Sequence, residues 1–152
     1  MGGSPGKKLK RKGFTLVELL IVGVILAILA GIALPRLMGS DVGAIKNSME
    51  ADARNAVTAE NALYYAKRSY ESANVSGGDE GASKVLDSNY PDIKVVASPH
   101  NSIDIQATDK DGDGKNECFT VKVTNSKVNG YYEYDSCSDN PTVHYVESTS
   151  SP

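Results

Sequence analysis

An acidic, glycine-containing segment at residues 109–117 has the residue types needed to bind a metal ion. Carboxylates alternate there with lysine and glycine, and the acids are Asp109, Asp111, Asp113 and Glu117. Glycines let a tight loop turn several carboxylate oxygens toward one hard cation, and oxygen ligands are those that Ca²⁺ prefers. The segment begins like an EF-hand, but Thr120 stands where that motif needs a glutamate. We therefore expect a calcium loop of another kind, with a solvated Asp/Gly turn as the alternative.

One acid, Glu18, lies inside the apolar run at residues 14–34. At about 1.5 Å per residue, this run is long enough to cross a hydrocarbon core of roughly 30 Å. A carboxylate in a membrane helix costs about 2.5 to 3.5 kcal/mol and is usually functional, with a partner nearby. The run contains no lysine, arginine or histidine, so a cationic partner for Glu18 has to come from elsewhere.

The residues before this run carry positive charge without any acid. The cations are Lys7, Lys8, Lys10, Arg11 and Lys12, and such a bias keeps a flanking segment on the cytoplasmic side of a membrane. The apolar run is followed by a helical pattern rather than by the small-residue cleavage site of a secretory signal, so we expect it to be retained. A plain membrane anchor with a tolerated acid is the simplest alternative.

The run Gly13-Phe14-Thr15-Leu16-Val17-Glu18-Leu19 resembles the prepilin leader and helix start of type IV pilins and of their secretion-system relatives. The resemblance implies that a membrane peptidase cuts after Gly13 and methylates the new amino terminus at Phe14. Glu18 would then be the fifth residue of the mature chain. It also implies that Glu18 of one subunit meets the Phe14 amine of a neighbour during assembly, which would supply the cation that the apolar run lacks.

The resemblance implies a structural protein rather than an enzyme. Its expected function is that of a type IV pilus subunit, which serves adhesion, motility or surface interaction. The expected partners are copies of the same chain in a helical filament, the prepilin peptidase, and the pilus assembly platform with its motor proteins. The precursor would reside in the inner membrane and the assembled subunit in an extracellular filament. The alternatives are a major pseudopilin of a type II secretion system and a minor pilin or adhesin.

Composition argues against two other functional classes. The chain has 19 Asp plus Glu against 16 Lys plus Arg, and loss of the basic leader would make it more acidic. Binding to nucleic acid is therefore not indicated, because neutralising phosphates needs clustered Lys and Arg. His100 and His144 stand outside any identifiable nucleophile motif, so catalysis is not predicted. No cofactor is required, and calcium is the one candidate ligand.

The rest of the chain predicts one helix followed by a sheet. Apolar residues recur every three or four positions from Val42 to Leu63, which indicates one buried helix face. The intervening positions are polar and predict a solvent-facing side with Lys46, Glu50, Asp52, Arg54 and Glu60. After Pro91 the apolar residues alternate with polar ones, as in strands. The predicted fold class is α+β, a long N-terminal helix packed on a C-terminal antiparallel sheet, and this matches the pilin fold.

These patterns divide the chain into six consecutive segments. The resemblance assigns residues 1–13 to a cleaved leader, and the apolar run assigns residues 14–34 to a transmembrane and assembly helix. We predict an amphipathic continuation of the helix at residues 35–70 and a polar connecting loop at residues 71–93. The antiparallel sheet is predicted to follow at residues 94–147 and a flexible tail at residues 148–152.

Cys118 and Cys137 are the only cysteines in the chain. The midpoint between them falls in a predicted turn at residues 126–129, so the two should face each other across a hairpin. An even pair in an exported domain favours a disulfide, and many type IV pilins close a C-terminal loop in a similar way. Two free thiols or two metal ligands are the alternatives, although zinc sites usually need four ligands.

Overall fold

The computed structural model describes residues 2, 3, 6 and 12–149, and it leaves the side chains of residues 31–40 undescribed. The chain divides into two compact units, Met1–Gly39 and Ser40–Pro152. The first unit contains the start of helix α1, which runs from Leu16 to Lys67. The second unit contains the rest of α1 and every strand of the described chain. The fold is α+β, as predicted from the sequence.

Helix α1 ends three residues earlier than predicted. Lys67 is its last residue, and the next residue, Arg68, has a left-handed backbone with φ of 62°. The Arg68 amide still donates to the Tyr64 carbonyl oxygen at 2.8 Å. A left-handed residue directly after a helix is a common way to end it, because the chain then turns away from the helix axis.

Five strands form one antiparallel sheet in the order β1-β4-β5-β6-β7, and β2 and β3 form a separate antiparallel pair. The strands are β1 Ala73–Ser76, β2 Ala82–Val85, β3 Lys94–Ala97, β4 Asn101–Thr108, β5 Cys118–Asn125, β6 Tyr131–Asp135 and β7 His144–Val146. Strands β4 and β5 form the longest pairing, from Asn101 opposite Asn125 to Thr108 opposite Cys118.

Two of these strands lie in the segment 71–93, which was predicted to be a connecting loop. In β1, Ala73 and Val75 are buried while Asn74 and Ser76 face solvent. Strand β1 is an edge strand, so half of its residues are polar and no long apolar run marks it. Strands β3 to β7 fall within the predicted sheet segment 94–147, and residues 150–152 of the predicted tail lie outside the described residues.

The core of the second unit lies between α1 and the five-stranded sheet. The helix contributes fully buried Met49, Ala53 and Ala56. The sheet contributes a facing layer of side chains that are also almost fully buried, namely Ile103, Ile105, Phe119, Val121 and Val123. Leu63 of the predicted apolar face is fully buried as well, whereas Val42 at the start of that face is 43% exposed.

Two acids predicted to face solvent are buried. Asp52 is 3% exposed, and its carboxylate accepts hydrogen bonds from the Ser98 amide and hydroxyl and from the Asn101 side-chain amide, each at 2.8 Å. Glu60 is 0% exposed. The prediction for these two residues was wrong because the helix periodicity gives the apolar stripe but not which loops cover its margins.

The disulfide expected between Cys118 and Cys137 is present, with the two Cα atoms 5.4 Å apart. Cys118 is the first residue of β5, and Cys137 follows the end of β6. The bond therefore closes the open end of the β5–β6 hairpin. The Phe119 amide also donates to the Ser136 hydroxyl at 2.7 Å beside it.

Replacing both cysteines by serine should destabilise the second unit. Closing a loop of about 20 residues stabilises a fold by roughly 3 kcal/mol in the chain-entropy model. We expect the double variant Cys118→Ser/Cys137→Ser to lose about that much unfolding free energy in urea titrations of the detergent-solubilised chain. Reductant should shift the wild-type midpoint and leave the variant unchanged. Equal midpoints for the two proteins would contradict this expectation.

Candidate functional site

Glu18 lies in the first turn of α1 and forms a reciprocal cap with Thr15. The Thr15 amide donates to Glu18 Oε2 at 2.8 Å, and the Glu18 amide donates to Thr15 Oγ1 at 3.3 Å. Because Leu16 is the first helical residue, Thr15 is the N-cap and Glu18 is the third residue of the helix. This pair is a capping box, in which each side chain satisfies a backbone amide that has no partner in the helix.

The capping box gives Glu18 a partner that the sequence analysis did not find. The apolar run offers no side-chain cation, and the structure places the Thr15 backbone amide against the carboxylate instead. The N-terminal end of a helix also carries a partial positive charge, which favours an acid there. The Thr-x-x-Glu spacing of residues 15–18 was the sequence signal that could have revealed this arrangement.

The expected cleavage point lies just outside the helix. Gly13 and Phe14 are in a segment without regular secondary structure, and Phe14 is 83% exposed. The bond between them is therefore accessible and is not protected by helix hydrogen bonds. Cleavage there would create a new amine one residue before Thr15, close in sequence to the Glu18 carboxylate. The expected pairing of Glu18 with the Phe14 amine of a neighbouring subunit stays a prediction.

The first turns of α1 expose apolar side chains in every direction. Each of these large side chains is more than half exposed: Leu16, Val17, Leu19, Leu20, Ile21, Val22, Val24, Ile25, Leu26, Ile28 and Leu29. Contiguous apolar surface of this kind marks a region that contacts other molecules. Among the described residues, no helix has both the length and the apolar character needed to cross a membrane. The side chains of residues 31–34 in the predicted span lie outside the description.

The Asp-rich segment is a loop between β4 and β5 that brings its acids together. Asp109, Asp111, Asp113 and Glu117 each offer a carboxylate oxygen, and these oxygens lie within 4.8 Å of one another. Gly112 and Gly114 have φ of 78° and 86°. A side chain would disfavour that left-handed backbone, so the two glycines permit the turn that gathers the carboxylates.

Backbone amides hold two of these acids in place. Asp109 accepts from the Gly114 amide at 2.9 Å and from the Gly112 amide at 2.6 Å, and these bonds lower the pKa of Asp109. Glu117 accepts from the Lys110 amide at 2.6 Å. Donors of this kind favour the charged form of Asp109. The calcium loop stays a prediction, because the same bonds would also form in a solvated Asp/Gly turn.

Residues 8–34 match the family model of the prokaryotic N-terminal methylation motif. This motif is the hallmark of the precursors of type IV pilins and pseudopilins. The chain therefore carries this motif at its N-terminal end. Neither the curated proteins nor the solved structures contain a significant match to it. The matched residues include the expected cleavage point and the capping box.

The two candidate sites lie in different parts of the chain. The capping box belongs to the unit Met1–Gly39, whereas the Asp-rich loop belongs to the unit Ser40–Pro152. The loop is also fixed at one end, because the disulfide-bonded Cys118 directly follows Glu117.

Thr15→Ala should loosen the start of α1 in the precursor. Loss of an N-cap side chain costs about 1 kcal/mol, which corresponds to roughly fivefold faster hydrogen exchange at the amide that it protects. We expect that change at the Glu18 amide of the uncleaved chain in detergent, measured by exchange with residue resolution. Thr15→Ser keeps the hydroxyl and should exchange like the wild type. Equal rates in all three proteins would contradict the capping role.

Proposed function

We propose that this chain is a structural subunit of a type IV pilus, cleaved after Gly13, methylated at Phe14 and polymerised through α1. The observation that carries the proposal is the match of residues 8–34 to the methylation motif. It is supported by the exposed apolar side chains of the helix segment that follows the cleavage point. An apolar segment of this type has two suitable environments, a lipid bilayer and a bundle of other such helices.

The proposed mechanism replaces lipid contacts by helix contacts. The precursor is anchored in the inner membrane by residues 14–34, and the leader stays on the cytoplasmic side because of its positive charge. After cleavage by the prepilin peptidase, the assembly platform and its motor move the subunit into the growing filament. Its apolar helix then packs at the filament centre against helices of neighbouring copies, and the filament extends outside the cell.

Glu18 has two successive partners in this mechanism. In the precursor its carboxylate accepts from the Thr15 amide. In the filament it pairs with the charged Phe14 amine of a neighbour, which compensates both charges away from water. The capping box lowers the cost of carrying an acid in the membrane and keeps the carboxylate at the end of the helix, where an incoming amine can reach it.

The second candidate is a major pseudopilin of a type II secretion system, which shares the methylation motif. The gathered carboxylates of the Asp-rich loop favour this alternative. The Cys118–Cys137 disulfide favours the pilus subunit. A minor pilin or tip adhesin is less well supported, because such a subunit would be expected to carry extra domains or long insertions.

Glu18→Ala should separate membrane insertion from assembly. We expect the variant to accumulate as a stable, processed membrane subunit that forms few fibres, because the neighbour's amine then lacks its counter-charge. Electron microscopy of sheared fibres, with mass spectrometry of the subunit, measures both steps. Glu50→Ala removes an acid of the helix that is paired with Arg54 and should leave fibre number unchanged. Undiminished normal fibres from Glu18→Ala would contradict the proposed mechanism.

The same preparations distinguish the two candidate functions. Long sheared fibres whose subunit begins at methylated Phe14 would establish the pilus subunit. A processed subunit that stays in the cell envelope of a strain with an intact pilus assembly system would instead support the pseudopilin.

We also propose that the Asp-rich loop binds calcium. The support is the convergence of carboxylate oxygens from Asp109, Asp111, Asp113 and Glu117 within 4.8 Å. Negatively charged carboxylates at such short distances repel one another, and a bound divalent cation would offset that repulsion.

Calcium should therefore stabilise the folded subunit. A ligand present at about 100 times its dissociation constant adds roughly 2.7 kcal/mol to the unfolding free energy. We expect a rise in the melting temperature with excess Ca²⁺ over EDTA, abolished in Asp111→Asn/Asp113→Asn. Asp139→Asn, which changes an exposed acid elsewhere, should respond like the wild type. The same melting temperature in calcium and in EDTA would show that the segment is an ordinary turn.

A further inference from the structure

Glu60 is a buried acid that neither proposed site uses. Its side chain is fully buried on α1, seven residues before the helix ends. One carboxyl oxygen, Oε2, accepts from the Glu71 amide at 3.1 Å. The other oxygen, Oε1, has no hydrogen-bond partner within the described part of the chain. A buried charge held by one hydrogen bond is far more costly than a neutral carboxyl group at the same place.

Glu60 accepts its hydrogen bond from an amide of the turn at residues 68–71, which we call the helix-end turn. This turn connects the end of α1 to β1. Its Glu71 amide lies beyond the last helical residue, Lys67, and donates to Glu60 instead of to a helix carbonyl. Glu60 therefore fastens the end of the turn to the helix, together with the ion pair between Lys67 and Glu71.

The Asp-rich loop rests on this helix-end turn through Asn116. The Tyr70 amide donates to the Asn116 carbonyl oxygen at 3.1 Å, and the Asn116 side-chain amide donates back to the Tyr70 carbonyl oxygen at 2.9 Å. The Asn116 amide also donates to the Ser69 hydroxyl at 3.0 Å. The Tyr70 ring packs between the rings of Tyr64 and Phe119, with centroids 4.6 and 4.5 Å away.

The β2–β3 connection rests on the same end of the helix. Lys67 forms ion pairs with Glu71 and with Asp87, the latter at 2.8 Å. The Tyr90 hydroxyl donates to the Ala66 carbonyl oxygen at 3.3 Å. Two connections between strands are thus fastened to the last residues of α1 and to the helix-end turn, and Glu60 holds the Glu71 amide of that turn.

The charges around Glu60 do not offset its burial. Burial is the largest influence and raises the pKa of Glu60 to about 7; the negative charge of Glu71 adds to the rise. The Glu71 amide and the positive charge of Lys67 act in the opposite direction. Tyr70 lies near Glu60, and Tyr64, Tyr65 and Tyr134 lie near Tyr70. Asp87 reaches the same end of the helix through its ion pair with Lys67.

We propose that Glu60 is a proton-sensitive latch for the helix-end turn. With a proton on its carboxyl group, Glu60 stays buried and holds the Glu71 amide, so the turn remains closed over it. Without that proton, a buried carboxylate lies beside the negative charge of Glu71. The turn then opens to let water reach Glu60, and the contacts of Asn116 and Lys67 loosen with it.

The direction of the pH effect follows from the two pKa values. The pKa is about 4.5 for an unperturbed glutamate and about 7 in the folded chain. Between these values the folded state binds a proton that the unfolded state lacks. The stabilisation is therefore full below about pH 4.5 and is lost as pH rises through about 7.

Hydrogen exchange at the Glu71 amide tests the latch directly. The full chain is measured in detergent with EDTA, so that no cation at the Asp-rich loop contributes. After correction for intrinsic exchange, we expect protection in the wild type to fall about tenfold or more between pH 5.5 and 8.5. Glu60→Gln, which is neutral at both pH values, should lose less than about threefold. Glu50→Gln, the same change at a surface position of α1, should behave like the wild type.

Two results would overturn the latch. One is equal protection of the Glu71 amide at pH 5.5 and 8.5 in the wild type, and the other is an equal pH-dependent loss in Glu60→Gln. A second measurement does not depend on whether that variant folds. In a ¹³C NMR titration of the wild-type glutamate carboxyl groups, a midpoint near pH 7 at Glu60 supports the latch, and a midpoint near 4.5 overturns it.

Discussion

The packing of one face of α1 on the five-stranded sheet is the contact on which the rest of the described structure depends. Met49, Ala53 and Ala56 are fully buried there, in one cluster with side chains of the sheet such as Ile103 and Phe119. Both the Asp-rich loop and the helix-end turn take their positions from this contact.

Two buried acids on the margins of that helix face, Asp52 and Glu60, differ in how many hydrogen bonds their carboxyl groups accept. Asp52 accepts three hydrogen bonds, from Ser98 and Asn101, so its carboxylate is well satisfied. Glu60 accepts one, and its second oxygen has none among the described residues. The first acid fastens the helix to Ser98 and Asn101 through these bonds. The second holds its turn through one bond, which is the contact that the proposed latch depends on.

Most features that were predicted correctly from the sequence depend on local spacing along the chain. The leader, the amphipathic helix and the Cys118–Cys137 disulfide follow from spacing along the chain. The capping box was equally local, and Thr15 was missed only because the search for a partner of Glu18 was limited to cations. The burial of Glu60 could not be predicted, because it depends on how residues 68–71 fold back over the helix. Strand β1 was missed because an edge strand shows no long apolar run.

The distribution of buried residues bears on how one helix can serve both membrane and filament. Among the residues whose burial is described, the apolar core begins at Met49, and none of its members comes from the exposed run between Phe14 and Leu29. The second unit therefore does not depend on that run for its own core. In the proposed assembly, the run can exchange lipid for neighbouring helices without exposing the core. Glu18 is the one charged side chain of the run, so the unfavourable free energy of the exchange comes mainly from its carboxylate. The hydrogen bond from the Thr15 amide reduces that free energy until the amine of a neighbouring subunit pairs with Glu18.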